Sequence, residues 1–316
     1  METSRISLDR IKLASQVIDP VFLNSPQYAV DLLNQKLGVE LILKVESINP
    51  IRSFKGRGAE FLLSQVYDDR PLLCASAGNF GQAMAYACRK RNRKITVFAA
   101  TTANPFKVER MRSLGARMVL FGEDFDAAKN QARDVARQEG YRMVEDGLDV
   151  ETVEGAGTIG LELVSLDNLD VLLVALGNGA LFNGIATVFK ALRPTVKRIA
   201  VQASGAPAMA ESWRTGTLVT HPAIHTIADG IGVRVPIPEA LADMQPLADD
   251  VITVEEGSIL EAMNLIYASA GIVSEPSGAV GVAALLEHRE RFAGLKVVTV
   301  ICGGNLTDTQ RRQWLH

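Results

Sequence analysis

A chain of 316 residues, 47% hydrophobic and 22% charged, can bury one large core or two moderate ones and is not a disordered composition. Its 33 basic and 36 acidic side chains leave a formal charge of −3, which offers no footprint for nucleic acid and no grip on an anionic membrane. Cys74, Cys88 and Cys302 lack metal-ligand spacing and are too few for a disulfide scaffold; with no apolar signal core in Met1 to Lys12 and no run near the roughly 20 apolar residues of a membrane span, a soluble cytoplasmic protein is expected. In chain order, apolar and β-branched runs predict strands at 41–45, 72–75, 95–99, 117–121, 141–144, 171–175, 199–202 and 297–301. Helical patterns fall between them at 56–67, 81–91, 105–114, 124–139, 183–192, 258–270 and 279–288. The basic cluster Arg89, Lys90, Arg91, Arg93, Lys94 reads as a solvated helix end. Such alternation predicts an α/β fold with parallel sheets. The stretch from Pro71 to about Asp146 reads as self-contained, with four short strand signals. It predicts a small inserted domain, 71–146, inside a larger one made of 1–70 and 147–316.

Four Gly-containing turns lie near predicted strand ends, where an open α/β sheet places its ligands. They are Ser53-Phe54-Lys55-Gly56-Arg57-Gly58, Ser76-Ala77-Gly78-Asn79-Phe80-Gly81, Gly177-Asn178-Gly179-Ala180-Leu181 and Cys302-Gly303-Gly304-Asn305. Taken singly, each has an ordinary reading. A lysine beside glycine at a helix start is usually a solvated surface lysine, and a buried cysteine is usually an inert small hydrophobe. Gly177-Asn178-Gly179 does not complete a dinucleotide fingerprint, because Phe182 stands where the last glycine belongs.

Together they meet a more specific set of needs. Free amides at a helix N-terminus cradle a phosphate, since both the N–H groups and the macrodipole favour an anion. A lysine with a neutral amine forms a Schiff base with an aldehyde. A flat ring needs apolar contacts such as Phe54 or Ala180, and directional polar partners such as Asn79 and Cys302. These are the requirements of a pyridoxal-phosphate site.

At these residues the chain resembles the fold-type II pyridoxal-phosphate enzymes, in particular the threonine/serine dehydratase and serine racemase group. The resemblance runs from about Ile11 to Asn305, with the motifs in the family's order. Pro20-Val21-Phe22-Leu23 resembles the N-terminal Thr-Pro-Leu segment, and Glu275-Pro276-Ser277-Gly278-Ala279 and Cys302-Gly303-Gly304-Asn305 resemble the C-terminal signatures. Gly157-Thr158-Ile159-Gly160-Leu161-Glu162 and Ala228-Asp229-Gly230-Ile231 are further family-like stretches. The resemblance implies two doubly wound parallel α/β domains with pyridoxal 5′-phosphate in the cleft between them. It implies Lys55 as the Schiff-base and catalytic lysine, Phe54, Asn79, Gly177, Asn178, Gly179, Ala180, Leu181 and Cys302 around the cofactor, and Ser76, Ala77, Gly78, Asn79 and Phe80 around the substrate. Glu275 and Gly303 are implied as supporting residues, and a homodimer as the assembly.

The departures carry information too. Asn178 and Ala180 replace two of the family's four loop glycines, and Phe80 stands where a histidine often follows the loop asparagine. Ala77 occupies the position of the second serine of serine racemases, which delivers a proton to the opposite face; alanine cannot, so racemisation is disfavoured. Gln202-Ala203-Ser204-Gly205-Ala206-Pro207-Ala208 offers no carboxylate where metal-binding members have them, so no divalent-cation site is expected. The expected reaction is ammonia release from a small β-hydroxy amino acid such as threonine or serine, by α-proton abstraction at Lys55 and β-elimination, with the leaving hydroxyl drawing a proton from the cofactor phosphate. The alternatives are a β-replacement enzyme or synthase of the same fold and, less favoured, a non-catalytic metabolite-binding protein.

Overall fold

The apolar runs form strands because each is covered on both faces. In a computed structural model that describes residues 4–316, the strands are β1 (Gln27–Ala29), β2 (Glu40–Val45), β3 (Leu72–Ala75), β4 (Ile95–Ala99), β5 (Arg117–Leu120), β6 (Arg142–Val144), β7 (Val171–Ala175), β8 (Lys197–Ala203), β9 (Asp250–Val254) and β10 (Lys296–Ile301). They make a six-stranded sheet in the order β1-β2-β10-β7-β8-β9 and a four-stranded sheet in the order β5-β4-β3-β6. Every pairing is parallel except the edge pair β1–β2. Central β7 is buried at all five positions, as a strand covered by helices on both faces must be. The two strands without a sequence signal, β1 and β9, are the edges of the larger sheet, where burial makes the smallest demand.

The helices that frame the sheets are α1 (Leu8–Val17), α2 (Asp31–Leu37), α3 (Lys55–Ser64), α4 (Asn79–Lys90), α5 (Pro105–Ser113), α6 (Phe125–Glu139), α7 (Val150–Leu163), α8 (Ala180–Leu192), α9 (Ala208–Thr215), α10 (Pro238–Met244), α11 (Glu256–Ala270) and α12 (Pro276–Glu287). Several begin earlier than the pattern predicts: Lys55, Asn79 and Ala180 are first helical residues, not loop residues. The basic cluster closes α4, where Lys90 pairs with Asp19 and Arg91 with Glu60. Among the described residues no helix is long and apolar enough to cross a membrane.

Helix α7 has no clear sequence signal because Gly155, Gly157 and Gly160 read as loop. Their use is close approach. A Cβ on Gly155 would lie 2.5 Å from the Arg57 carbonyl oxygen, and one on Gly58 would lie 2.6 Å from the Thr152 carbonyl oxygen, so α3 and α7 cross backbone to backbone. That crossing seals a buried ion network. The Arg57 guanidinium, fully buried, donates to both Glu46 oxygens (Nε 2.9 Å, Nη2 2.8 Å), to Glu162 (Nη1 2.6 Å, Nη2 3.0 Å) and to the Thr158 hydroxyl at 3.0 Å. Lys44 Nζ donates to Glu162 at 2.5 Å. Burial works against the Arg57 charge, yet the two carboxylates outweigh it and hold its pKa above the ordinary value. Glu162 likewise sits below its ordinary value, because Arg57 and Lys44 outweigh its desolvation.

Gly155→Ala forces a methyl into backbone that has no room to yield. It should destabilise the fold by on the order of 1–3 kcal/mol, read as a lower midpoint in thermal unfolding at fixed pH.

Candidate active site

Both sheets aim the C-terminal ends of their strands at one cleft of about 360 Å³. From the larger sheet, β10 ends at Ile301 and delivers Cys302, while β7 ends at Ala175 and leads to Gly177. From the smaller sheet, β3 ends at Ala75 and delivers Ser76, and β6 ends at Val144 just before Asp146. This is where an open parallel sheet binds its ligand.

Lys55 reaches the cleft because its turn is tied to the β10 turn. Ser53 pairs with Gly303 in an isolated bridge, Phe54 N–H donates to the Cys302 carbonyl at 3.0 Å, and Gly304 N–H donates to the Arg52 carbonyl at 3.0 Å. Asn49 braces the same loop, its Oδ1 accepting from Ile51 and Ser53 N–H. The Lys55 ammonium lies 4.6 Å from the centre of the Phe54 ring and forms an ion pair with Asp146. Asp146 is held in turn by Asn178, whose Nδ2 donates to its carboxylate at 2.7 Å and to its carbonyl at 2.8 Å.

The sequence-predicted residues gather here with two exceptions. Phe54, Lys55, Ser76, Ala77, Gly78, Asn79, Phe80, Gly177, Asn178, Ala180, Leu181, Glu275 and Cys302 all line the cleft. Gly179 and Gly303 lie behind it. Gly179 sits at φ 92, in the left-handed region, where it caps α8. Gly303 accepts from Glu275 N–H at 3.0 Å through its carbonyl. The Ser76 hydroxyl oxygen accepts from Gly78 and Gly81 N–H at 3.2 and 2.9 Å, so it shapes the loop as well as lining the cleft.

A hydrogen-bond chain runs through the wall. Arg110 Nη1 donates to Asn305 Oδ1 at 2.7 Å, Asn305 Nδ2 to Asn79 Oδ1 at 2.8 Å, and Asn79 Nδ2 to Glu275 Oε1 at 2.7 Å. Asn305 N–H donates to the other Glu275 oxygen at 3.0 Å. Burial, with the Asp229 charge added, pushes Glu275 up to about 7 against the pull of Lys107, the Asn305 N–H and the Asn79 amide. Burial, with Glu275 added, raises the Cys302 thiol well above its ordinary range, so it stays neutral.

The cleft fits pyridoxal phosphate on three counts. Of the amides that open α8, Ala180 N–H is taken by Asn178 Oδ1 at 3.2 Å, while Leu181 and Phe182 N–H, ahead of the first internal bond from Asn183 N–H to the Gly179 carbonyl at 2.8 Å, have no acceptor among the described residues and are open to an anion. Ala180 is an ordinary helical residue, so its methyl is tolerated where the family has glycine. Two buried polar atoms of cleft residues, Ser277 Oγ and Asp146 Oδ1, have no partner among the described residues, as expected where a polar ligand completes the site.

Asp146 and Lys107, which line the cleft, are given no role by the sequence reading, and Asp229 and Asn305 enter it only as members of motifs. Asp146 follows a strand end as an Asp-Gly pair, which by itself reads as an ordinary turn. Lys107 and Asp229, on α5 and opposite it, form an ion pair across the cleft, and Asn305 joins Asn79 to Arg110. Nothing local marks the first two, because they become neighbours only through the fold.

Residues 18–303 match the family described as pyridoxal-phosphate dependent enzyme. Among curated relatives, the chain is 31% identical to a biosynthetic L-threonine dehydratase of Halalkalibacterium halodurans over 98% of its length and 76% of the relative's. It is 33% identical to the L-threonine ammonia-lyase of Thermotoga maritima, over 95% of the chain and 76% of that protein. Among solved structures, threonine deaminase isoform 2 of Solanum lycopersicum superposes with a TM-score of 0.89 at 29% identity, covering 99% of this chain and 89% of that one. Maize serine racemase superposes with a TM-score of 0.91 at 26% identity, covering 98% and 96%. The architecture, the cleft and these likenesses agree: the chain belongs to the pyridoxal-phosphate dependent enzymes, on the fold-type II scaffold.

Proposed function

We propose that this protein is an ammonia-lyase that converts a small β-hydroxy amino acid, threonine or serine, to a 2-oxo acid and ammonia. The observation that carries the reading is the placement of one lysine amine between a free helix N-terminus and a neutral thiol, in a cleft shared with the Ser76–Phe80 loop. The dehydratase, ammonia-lyase and deaminase among its relatives support it.

Lys55 would hold the cofactor through its amine, the open amides of α8 would take its phosphate, and Phe54 and Asn79 would line its place. The Ser76–Asn79 turn would take the substrate carboxylate on the Ala77 and Asn79 amides and the Ser76 hydroxyl, with Phe80 beside it. When bound, the cofactor supplies an electron sink for the pair left at Cα. Lys55, with its amine free, would lift the α-proton. Ala77 has no proton to give, so the opposite face is not served and elimination is favoured over racemisation. Cys302, as a neutral thiol, would stand by the cofactor without the charge of a carboxylate, which would favour prompt loss of the β-hydroxyl over transamination. Glu275 supports the site through Asn79. The reading includes a cytoplasmic homodimer: the three cysteines are free and buried, as suits a reducing compartment, and Leu13 and Val17, one turn apart on α1, are exposed apolar groups for a partner copy to cover.

The purified holoenzyme should release ammonia and the matching 2-oxo acid from serine or threonine, and Lys55→Ala should release neither. A wild-type protein inert toward both amino acids refutes the assignment. Cys302→Asp should shift the partition toward transamination, seen as aminated cofactor in the spent reaction; an unchanged partition removes Cys302 from the argument. Glu275 holds its proton more tightly folded than unfolded, so its contribution to stability is full below about its ordinary value of 4.5 and is lost as pH rises through about 7. Between about pH 5 and about pH 8 the thermal midpoint of wild type should therefore fall relative to that of Glu275→Gln.

A further inference from the structure

Elimination from a β-hydroxy amino acid needs two proton movements, one off Cα and one onto the departing oxygen. Lys55 accounts for the first. The family resemblance assigns the second to the cofactor phosphate, but beside Lys55 the cleft also holds a carboxylate that the family reading does not use. Asp146 is ion-paired to Lys55 through Oδ2, which also accepts from Asn178, while its Oδ1 is buried with no partner among the described residues. Its side chain is 17% exposed. Asp146 borders both the 360 Å³ cleft and an adjoining chamber of about 460 Å³ between the sheets, so it stands at the space a substrate must enter.

The surroundings hold Asp146 in this place. Asn178 clamps it with two donors from one amide, at 2.7 and 2.8 Å, and Asn178 Oδ1 accepts from Ala180 N–H at 3.2 Å. Gly147 leaves room for the clamp: it lies at φ 82, and a Cβ there would come within 3.0 Å of the Asn178 amide carbon. Asn178 thus ties the carboxylate to the loop at the head of α8. Other acidic groups at the cleft are engaged elsewhere: Glu275 by Asn79 and Asn305, and Asp229 by Lys107.

We propose that Asp146 is the proton carrier that completes the elimination, taking from Lys55 the proton lifted from Cα and delivering it to the leaving β-hydroxyl. The inference rests on the lyase reading above. In balance, the Lys55 lone pair takes the Cα proton, and the ammonium passes it to Asp146 Oδ2. As the Cβ–O bond breaks with its pair on oxygen, the Asp146 carboxyl gives up that proton and water departs. The pair left at Cα becomes the Cα–Cβ double bond. Lys55 and Asp146 return to amine and carboxylate, with no net proton taken from solvent.

The test compares two leaving groups in the holoenzyme. Hydroxide needs a proton to leave well, whereas chloride does not, so serine and its β-chloro analogue separate the two roles. Asp146→Asn keeps the shape and the contact to Asn178 but carries no transferable proton. Ammonia release from serine should fall about 100-fold in kcat, within the range for a lost general acid, with KM changed by less than about threefold. Release from the β-chloro analogue should stay within about threefold of wild type. Unreacted serine recovered from the variant in deuterium oxide should carry deuterium at Cα, because abstraction continues while departure stalls. Equal losses on both substrates, or no loss on either, overturn the proposal. A wild type inert toward serine, threonine and the β-chloro analogue overturns the lyase reading itself, whereas a wrong pattern of losses in an active enzyme overturns only the role of Asp146. Should the Asn variant fail to fold, Asp146→Ser permits the same comparison.

Discussion

The Arg57 guanidinium is the interaction on which the site depends. It joins the end of β2 through Glu46, the start of α3 through its own backbone and the C-terminal half of α7 through Thr158 and Glu162. Each of those elements contributes to the cleft or fixes a neighbour that does. A charge buried this completely is tolerated only when every donor finds an acceptor, and removing one partner of such a cluster costs about 3–5 kcal/mol. The network therefore leaves α3 one position to occupy. Lys55, two residues before Arg57, inherits that position, and the bridge from Ser53 to Gly303 fixes the approach from the other side.

The same economy explains why so many site residues are first residues of helices. Lys55, Asn79 and Ala180 each begin a helix, and only some of the opening amides are already engaged: Arg57 N–H by the Phe54 carbonyl, Gly81 N–H by Ser76 Oγ and Ala180 N–H by Asn178 Oδ1. Three positive helix ends and the strand termini of two sheets converge on one volume. Anionic groups, a phosphate and a carboxylate, are therefore stabilised there before any side chain is considered. The side chains then assign direction. Arg110, Asn305, Asn79 and Glu275 form a polar wall, Phe54 and Phe80 supply flat apolar surface, and Lys55 and Asp146 face each other as an ion pair.

Much of this was legible in the residues. Buried strands such as 171–175 and 297–301 announce themselves because a continuous apolar run of that length has one stable use. The four turns were visible through their glycines. What escaped was of two kinds. Helix α7 hid behind glycines kept for close approach, Gly155 to α3 some hundred residues earlier and Gly157 and Gly160 to α8, and a local pattern cannot distinguish a glycine kept for closeness from one kept for flexibility. Asp146, Lys107 and Asp229 escaped because an acidic or basic residue near a turn is ordinarily solvated. Their pairing exists only when the two sheets face each other. The departures at Asn178 and Ala180 are informative for the same reason. Read as losses of phosphate-loop glycine, they turn out to be a clamp on Asp146 and an ordinary first turn of helix.

By itself, the sequence determined that the chain folds as alternating parallel βα units and that four Gly-containing turns stand at strand ends, and it points to the lysine of one turn as the group to test. Those properties follow from hydrophobic period, turn chemistry and residue type, all of which are local. Only the tertiary structure decided which carboxylate meets that lysine, which carboxylates are already engaged, and which thiol stays neutral. Those are questions of burial and distance between segments far apart in the chain, and burial is what converts an acidic side chain from a solvated charge into a group with one partner and one direction to act.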